Sequence, residues 1–196
     1  MRILTIGGFY GTGKTTLILK LSKIFSQIYN KKVAIIVNDL GKIGIDDKVV
    51  KEAGLSVREL FGGCICCELS STLAETLQNL KDRFNPDIVI LEPSGMARPA
   101  QILADVQYLK GEIIEKSSMV ILVDPVMFNM LSDMPIVQDQ LRAAKILAIN
   151  KIDLVDKSVV GMVEEKLKIF NPQAEIMHIS ALEGIKVDEL ANKLIS

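Results

Sequence analysis

The 196-residue chain has no tryptophan, a single histidine and only 5% aromatic residues. So few rings argue against a platform on which nucleic-acid bases stack. Its 23 lysines and arginines nearly cancel 24 aspartates and glutamates, leaving a net charge of −1. No bulk field therefore draws in nucleic acid or an anionic membrane, and neither is expected as a partner. Long apolar runs are missing as well. Val33–Val37, Ile88–Leu91, Met119–Val123 and Ile146–Ile149 fall far short of the roughly 18–20 residues that a membrane-spanning helix needs. The first residues, Met1 to Ile6, run straight into a glycine loop, with no room for a signal peptide, so a cytoplasmic location is expected. The chain has only three cysteines, Cys64, Cys66 and Cys67. In a reducing compartment such a cluster points to metal or redox chemistry rather than a structural disulfide.

What the chain does have is apolar content, 49% of its residues, enough to fill the core of one domain. The four apolar runs are rich in Val and Ile and bounded by polar or turn residues, as buried parallel strands are. Ile3–Ile6 and Ala174–Ile179 read the same way, and Val57–Phe61 more weakly. Helical spacing sets Leu17, Leu21, Ile24 and Ile28 on one face of Lys14–Tyr29. It sets Leu69, Leu73, Leu77 and Leu80 on one face of Leu69–Phe84. Val159–Phe170 and Val187–Ile195 follow suit. Strands alternating with helices predict an α/β domain with a mainly parallel sheet, because parallel neighbours need crossover connections.

Gly8-Phe9-Tyr10-Gly11-Thr12-Gly13-Lys14-Thr15 fits G-x-x-x-x-G-K-T between a strand and a helix. Successive backbone N–H groups wrap phosphates there, and the helix N-terminus adds a favourable field. Lys14 is expected to reach the β and γ phosphates, and Thr15 to bind Mg²⁺. Asn150-Lys151-Ile152-Asp153 follows another apolar strand and resembles the N-K-x-D motif of GTPases. An ionised Asp153 can accept both guanine N1–H and the exocyclic N2–H₂, a pair that adenine does not offer on that edge. Lys151 would lay its stem along the base and Asn150 would tie the loops together, with Ser180-Ala181 as a further base-contacting loop. Ligands in open α/β sheets bind beyond the strands' carboxyl ends. Asp39 after Val33–Val37 and Glu92 after Ile88–Leu91 stand there, suited to Mg²⁺ through water, and Gly95 can donate its N–H to the γ phosphate. Asp124, after Met119–Val123, reads either as a helix cap before Pro125 or as a further site residue.

Gly62 and Gly63 precede the three cysteines. Three thiols within four residues can converge on one thiophilic cation, tetrahedral Zn²⁺ being the easy fit with Glu68, water or a second subunit completing it. Redox pairing and plain apolar packing are the other readings. His178, far from the cysteines in sequence, reads as a core or surface residue.

Taken together these segments resemble the metal-chaperone GTPases of the CobW, HypB and UreG family. Gly63-Cys64-Ile65-Cys66-Cys67 is similar to the CobW-type metal motif. The phosphate loop from Gly7 to Thr16, Asn38 to Asp46, and Glu92-Pro93-Ser94-Gly95 are similar to family segments. The resemblance implies a P-loop NTPase with helices on both faces of the sheet; CobW-type proteins usually carry a further C-terminal domain, whereas residues 1–196 are expected to form a single GTPase domain with no separate C-terminal domain. Its nucleotide site would use Gly8, Gly11, Thr12, Gly13, Lys14, Thr15, Thr16, Gly95, Asn150, Lys151, Asp153, Ser180 and Ala181. Lys14, Asp39 and Glu92 would serve catalysis, and Thr15, Asp39 and Glu92 the Mg²⁺ ion. Cys64, Cys66 and Cys67 would hold a transition metal, Zn²⁺ or Co²⁺ before Ni²⁺. Its partners would be GTP or GDP, a client metalloenzyme or cofactor-assembly protein, and a second copy of the chain in a GTP- and metal-dependent homodimer. Hydrolysis would be slow, since the phosphate loop supplies no catalytic arginine or water-positioning glutamine. A regulatory GTPase with a merely structural metal, and a small-molecule kinase, are the alternative functions.

Overall fold

A computed structural model describes residues 1–37 and 73–196. Six strands form one sheet: β1 (Arg2–Gly8), β2 (Val33–Val37), β3 (Ile88–Glu92), β4 (Lys116–Val123), β5 (Ile146–Ile149) and β6 (Glu175–His178). Their order is β2-β3-β1-β4-β5-β6, and every pairing is parallel. Seven helices lie among the described residues: α1 (Lys14–Gln27), α2 (Leu73–Phe84), α3 (Pro99–Tyr108), α4 (Phe128–Leu131), α5 (Pro135–Ala143), α6 (Lys157–Phe170) and α7 (Val187–Ile195).

Strand residues alternate between two covered faces, so the strands are apolar throughout rather than alternating with polar positions. Leu4, Ile6, Ile90, Val120 and Leu122 pack under α1 and α7, against Leu17, Leu21, Phe25, Leu190 and Leu194. Each such large apolar side chain contributes roughly 2 kcal/mol when fully buried. On the opposite face Ile3, Val89 and Leu91 meet Leu77 of α2 and Val106 of α3. Met119, Ile121 and Ile149 meet Leu141 of α5 and Val163 of α6 on that same face. Helices on both faces of a parallel sheet follow.

One expectation needs correction. Ile28 is not on the buried face of α1; it is 69% exposed, because the helix ends at Gln27 and Asn30, at φ 49, turns the chain away. Helices α3, α4 and α5 were not signalled by apolar spacing. α3 and α5 each begin with proline, whose fixed φ suits a first helical turn. No helix among the described residues is long and apolar enough to cross a membrane. Val57–Phe61 and Leu69 lie outside the described residues.

The strand order turns at β1, with β3 on one side and β4 on the other. That arrangement opens a crevice beyond the carboxyl end of β1.

Candidate functional site

The loop between β1 and α1 fills that crevice, and its backbone requires glycine. Gly8, Gly11 and Gly13 have φ of 130, 74 and 94. A Cβ on Gly8 would lie 2.5 Å from the Leu122 carbonyl oxygen, and one on Gly13 would lie 2.4 Å from Asn150 Nδ2. Side chains would therefore both strain the turn and push the phosphate loop off its neighbours. Thr12 Oγ1 donates to the Phe9 carbonyl at 2.9 Å, and Lys14 Nζ donates to the same oxygen at 3.1 Å. The lysine ammonium thus lies across the loop that it would share with a phosphate. Thr16, one residue beyond Thr15 in the first turn of α1, is partly buried.

Thr15 Oγ1 donates to Glu92, 3.1 Å from Oε1 and 3.4 Å from Oε2. Glu92 closes β3 and is buried. The structure so brings together, from positions 77 residues apart, the hydroxyl and the carboxylate expected to serve Mg²⁺. Gly95 lies against the phosphate loop: a Cβ there would sit 3.1 Å from the Tyr10 nitrogen. The segment is held from behind by Gln140 of α5, whose buried amide donates to the Gly95 carbonyl at 3.0 Å and the Ala97 carbonyl at 3.2 Å.

On the other flank, Asn150 joins three loops. Its Nδ2 donates to the Thr12 carbonyl and its Oδ1 accepts the Ala181 N–H, both at 2.8 Å and both buried. Its own N–H donates to the Val123 carbonyl at the end of β4. Lys151 follows in left-handed backbone, φ 61. Asp153 is exposed on the 3₁₀ turn Ile152–Leu154. Ser180 is buried, and its hydroxyl accepts the Glu183 N–H, shaping the turn after β6.

Two residues here were read incompletely from sequence. Asp124 does accept the Val126 N–H, as a cap would, but its Oδ2 also pairs with Lys151 Nζ at 2.7 Å. Its place just past an apolar strand, like that of Glu92, was the only signal. Gln140 gave none. His178 is half-buried at the end of β6: its Nε2 lies 2.8 Å from Glu164 Oε2, and Glu164 also pairs with Lys168. The Lys168 hydrogen bond holds the Glu164 carboxyl below its usual range, against burial and with help from His178. Asp39, Glu68, Cys64, Cys66 and Cys67 lie outside the described residues.

Comparison with known proteins agrees with this geometry. The family model described as "CobW/HypB/UreG, nucleotide-binding domain" matches residues 2–178. The chain is 33% identical over 154 residues to the zinc chaperone YeiR of Escherichia coli (strain K12), covering 76% of this chain and 45% of that protein. It is 30% identical over 193 residues to the zinc chaperone CobW of a Sinorhizobium species, covering 83% of this chain and 54% of that protein. The chain thus spans about half the length of these relatives. Among solved structures, the hydrogenase maturation factor HypB from Archaeoglobus fulgidus superposes with a TM-score of 0.68 at 19% identity, over 100% of this chain and 89% of that one. The Zn(II)-bound YjiA GTPase from E. coli superposes at 0.65 and 24% identity, over 90% and 56%. With a family match over nearly its whole length and a phosphate loop locked to an N-K-x-D loop, the chain belongs to the CobW/HypB/UreG family of nucleotide-binding domains.

Proposed function

We propose that this domain binds GTP and GDP with Mg²⁺, hydrolyses GTP slowly, and couples that cycle to carrying a transition-metal ion to a client metalloenzyme or cofactor-assembly protein. The observation that carries the nucleotide half is the Asn150 bridge. One buried amide ties the phosphate loop at Thr12 to the Ala181 loop, so phosphate and base are bound as one unit. Backbone N–H groups of Gly11 to Thr15 cradle the phosphates, with Lys14 as their cation. Thr15 and Glu92 form an oxygen pair of the kind Mg²⁺ accepts beside phosphate oxygens, and Asp39, outside the described residues, would add a second carboxylate. When bound, the ion neutralises charge that builds on the transferring phosphoryl group. Gly95 donates its N–H to the γ phosphate, and Asp153 reads the guanine edge beside Ser180.

The metal half rests on Cys64, Cys66 and Cys67, whose thiolates suit Zn²⁺ or Co²⁺ before Ni²⁺. The names of the relatives, zinc chaperones, support zinc as the first cargo to test. Residues 1–196 act as a single GTPase domain, and two copies pair when GTP and metal are both bound. Loss of the γ phosphate contacts at Gly95 loosens the rim and lowers metal affinity.

Calorimetry against GDP, GTP and ATP tests the nucleotide half. Native protein should favour guanine nucleotides strongly. Asp153→Asn should shift preference toward xanthine nucleotides, since an amide can donate to the extra carbonyl. Equal ATP and GTP affinity in the native protein would overturn the reading.

A further inference from the structure

Asp124 stands where β4 ends, and its carboxylate is 7% exposed while the Lys151 side chain is 32% exposed. A carboxylate so far from water needs strong partners. It has two: Oδ1 accepts the Val126 N–H at 2.9 Å, and Oδ2 receives Lys151 Nζ at 2.7 Å. The first closes the turn at Pro125. The second reaches across 27 residues to the loop that holds the base-reading motif. Beside it, the Asn150 N–H donates to the Val123 carbonyl. The Asn150-Lys151 segment is therefore fastened to the end of β4 twice, once by backbone and once by the ion pair.

We infer that Asp124 is a positioning residue for nucleobase recognition: it fixes Lys151 in the pose that lays the lysine stem along the base. This rests on the guanine-nucleotide reading above and deepens it. A lysine side chain has long rotamer freedom, and a ligand that must order it loses affinity to that ordering. An ammonium already held at 2.7 Å removes most of that cost, which is the gain from preorganisation. The backbone points the same way. Lys151 occupies left-handed φ, an unfavourable conformation for a side-chain-bearing residue, immediately before the turn that carries Asp153. The turn itself is closed by backbone bonds, Leu154 N–H to the Lys151 carbonyl and Ile152 N–H to the Ile179 carbonyl, and the Asp124 pairing adds the contact that fixes the lysine side chain.

A competing role is local to the phosphate loop. Asp124 lines a cavity of about 20 Å³ with Gly8, Phe9 and Thr12, and a carboxylate there can also support the loop from below. The two roles separate by ligand, because Lys151 serves the base and the loop serves the phosphates.

The experiment is competition binding with GDP and with tripolyphosphate, on native protein, Asp124→Asn, Lys151→Met and the double variant, each with a thermal melt. Asp124→Asn keeps an oxygen for the Val126 N–H and removes the charge that holds Lys151. GDP affinity should fall about tenfold, equivalent to about 1.4 kcal/mol, while tripolyphosphate affinity and melting temperature stay near native. In the Lys151→Met background the same substitution should add no further loss, because the group it positions is gone. Three results would overturn the inference: unchanged GDP affinity, an equal loss for GDP and tripolyphosphate, or the same tenfold loss with Lys151→Met already in place. If Asp124→Asn melts well below native, Lys151→Gln breaks the pair from the other side and leaves the Val126 turn intact. It should then cost GDP a similar factor and tripolyphosphate none, and native GDP affinity in that variant would overturn the inference. A native protein that binds ADP as well as GDP would instead refute the guanine reading itself.

Discussion

Asn150 offers the sharpest perturbation of the site. The residue is 2% exposed, and both side-chain hydrogen bonds run to buried backbone groups, the Thr12 carbonyl and the Ala181 N–H. Asn150→Ala leaves one acceptor and one donor unpaired inside the protein. Each such orphan costs about 1–3 kcal/mol, so the pair should cost about 3 kcal/mol once some water enters. That is a large share of the about 5–15 kcal/mol that a domain typically holds. With a urea slope of about 2 kcal/mol/M, the unfolding midpoint should fall by about 1.5 M with the slope unchanged. Nucleotide affinity should fall at least about tenfold, since phosphate and base loops are no longer held in one frame. Asn150→Asp gives a sign that a cavity cannot. One carboxyl oxygen still accepts the Ala181 N–H, but the other faces the Thr12 carbonyl at the 2.8 Å now taken by the amide. Two acceptors repel unless the carboxyl is protonated, so its folded pKa rises above the unfolded value of about 3.9. The contribution to stability of a group raised in this way is fully present below the unfolded pKa and is lost as pH rises through the folded one. Asn150→Asp should therefore become less stable, relative to native protein, from about pH 4 toward neutrality, while Asn150→Ala should show no such trend. Urea melts across that range check it. An Asn150→Ala midpoint within about 0.3 M of native, with unaltered GTP affinity, would show that the bridge carries neither stability nor binding.

Lys14→Ala should weaken GTP binding with and without Mg²⁺, because it removes a cation from the phosphates; Thr15→Ala should weaken it chiefly when Mg²⁺ is present. Hydrolysis assays and EDTA titrations distinguish them, and a native hydrolysis rate in Lys14→Ala would contradict the loop's role. Glu164→Gln should lower stability at neutral pH. Because the Glu164 pKa is depressed, its contribution is present above the usual value of 4.5 and lost as pH falls through the folded pKa. The gap between native and variant melting temperatures should close on acidification.

Much of the fold was legible because the sheet is covered on both faces. Ile88–Leu91 and Ile146–Ile149 are apolar without alternation, and that run is itself the sign of a parallel core strand. β4 starts earlier than its apolar run, at Lys116, because Lys116, Ser117 and Ser118 pair with Arg2, Ile3 and Leu4 at the sheet's amino end. α5 was hidden by Gln140, a polar residue on the helix's buried face, placed there to satisfy the Gly95 and Ala97 carbonyls. α3 was hidden because it buries only Pro99 and Val106, too little to make a stripe. At the site, local motifs marked the glycine loop and Asn150 to Asp153, since each is a short run with its own chemistry. The Asp124–Lys151 pair had no such mark. It joins residues 27 apart through tertiary packing, and local spacing reports only the cap to Val126.

Guanine nucleotide and metal should bind this domain as coupled ligands. The most direct test is a Zn²⁺ titration of the native protein and of Cys66→Ser, each saturated with GDP or with a non-hydrolysable GTP analogue. Native Zn²⁺ affinity should differ at least about tenfold between the two nucleotide states. Zn²⁺ should change the affinity for the GTP analogue, relative to GDP, by that same factor, and Cys66→Ser should abolish the difference. Identical Zn²⁺ affinity in both nucleotide states of the native protein would contradict it.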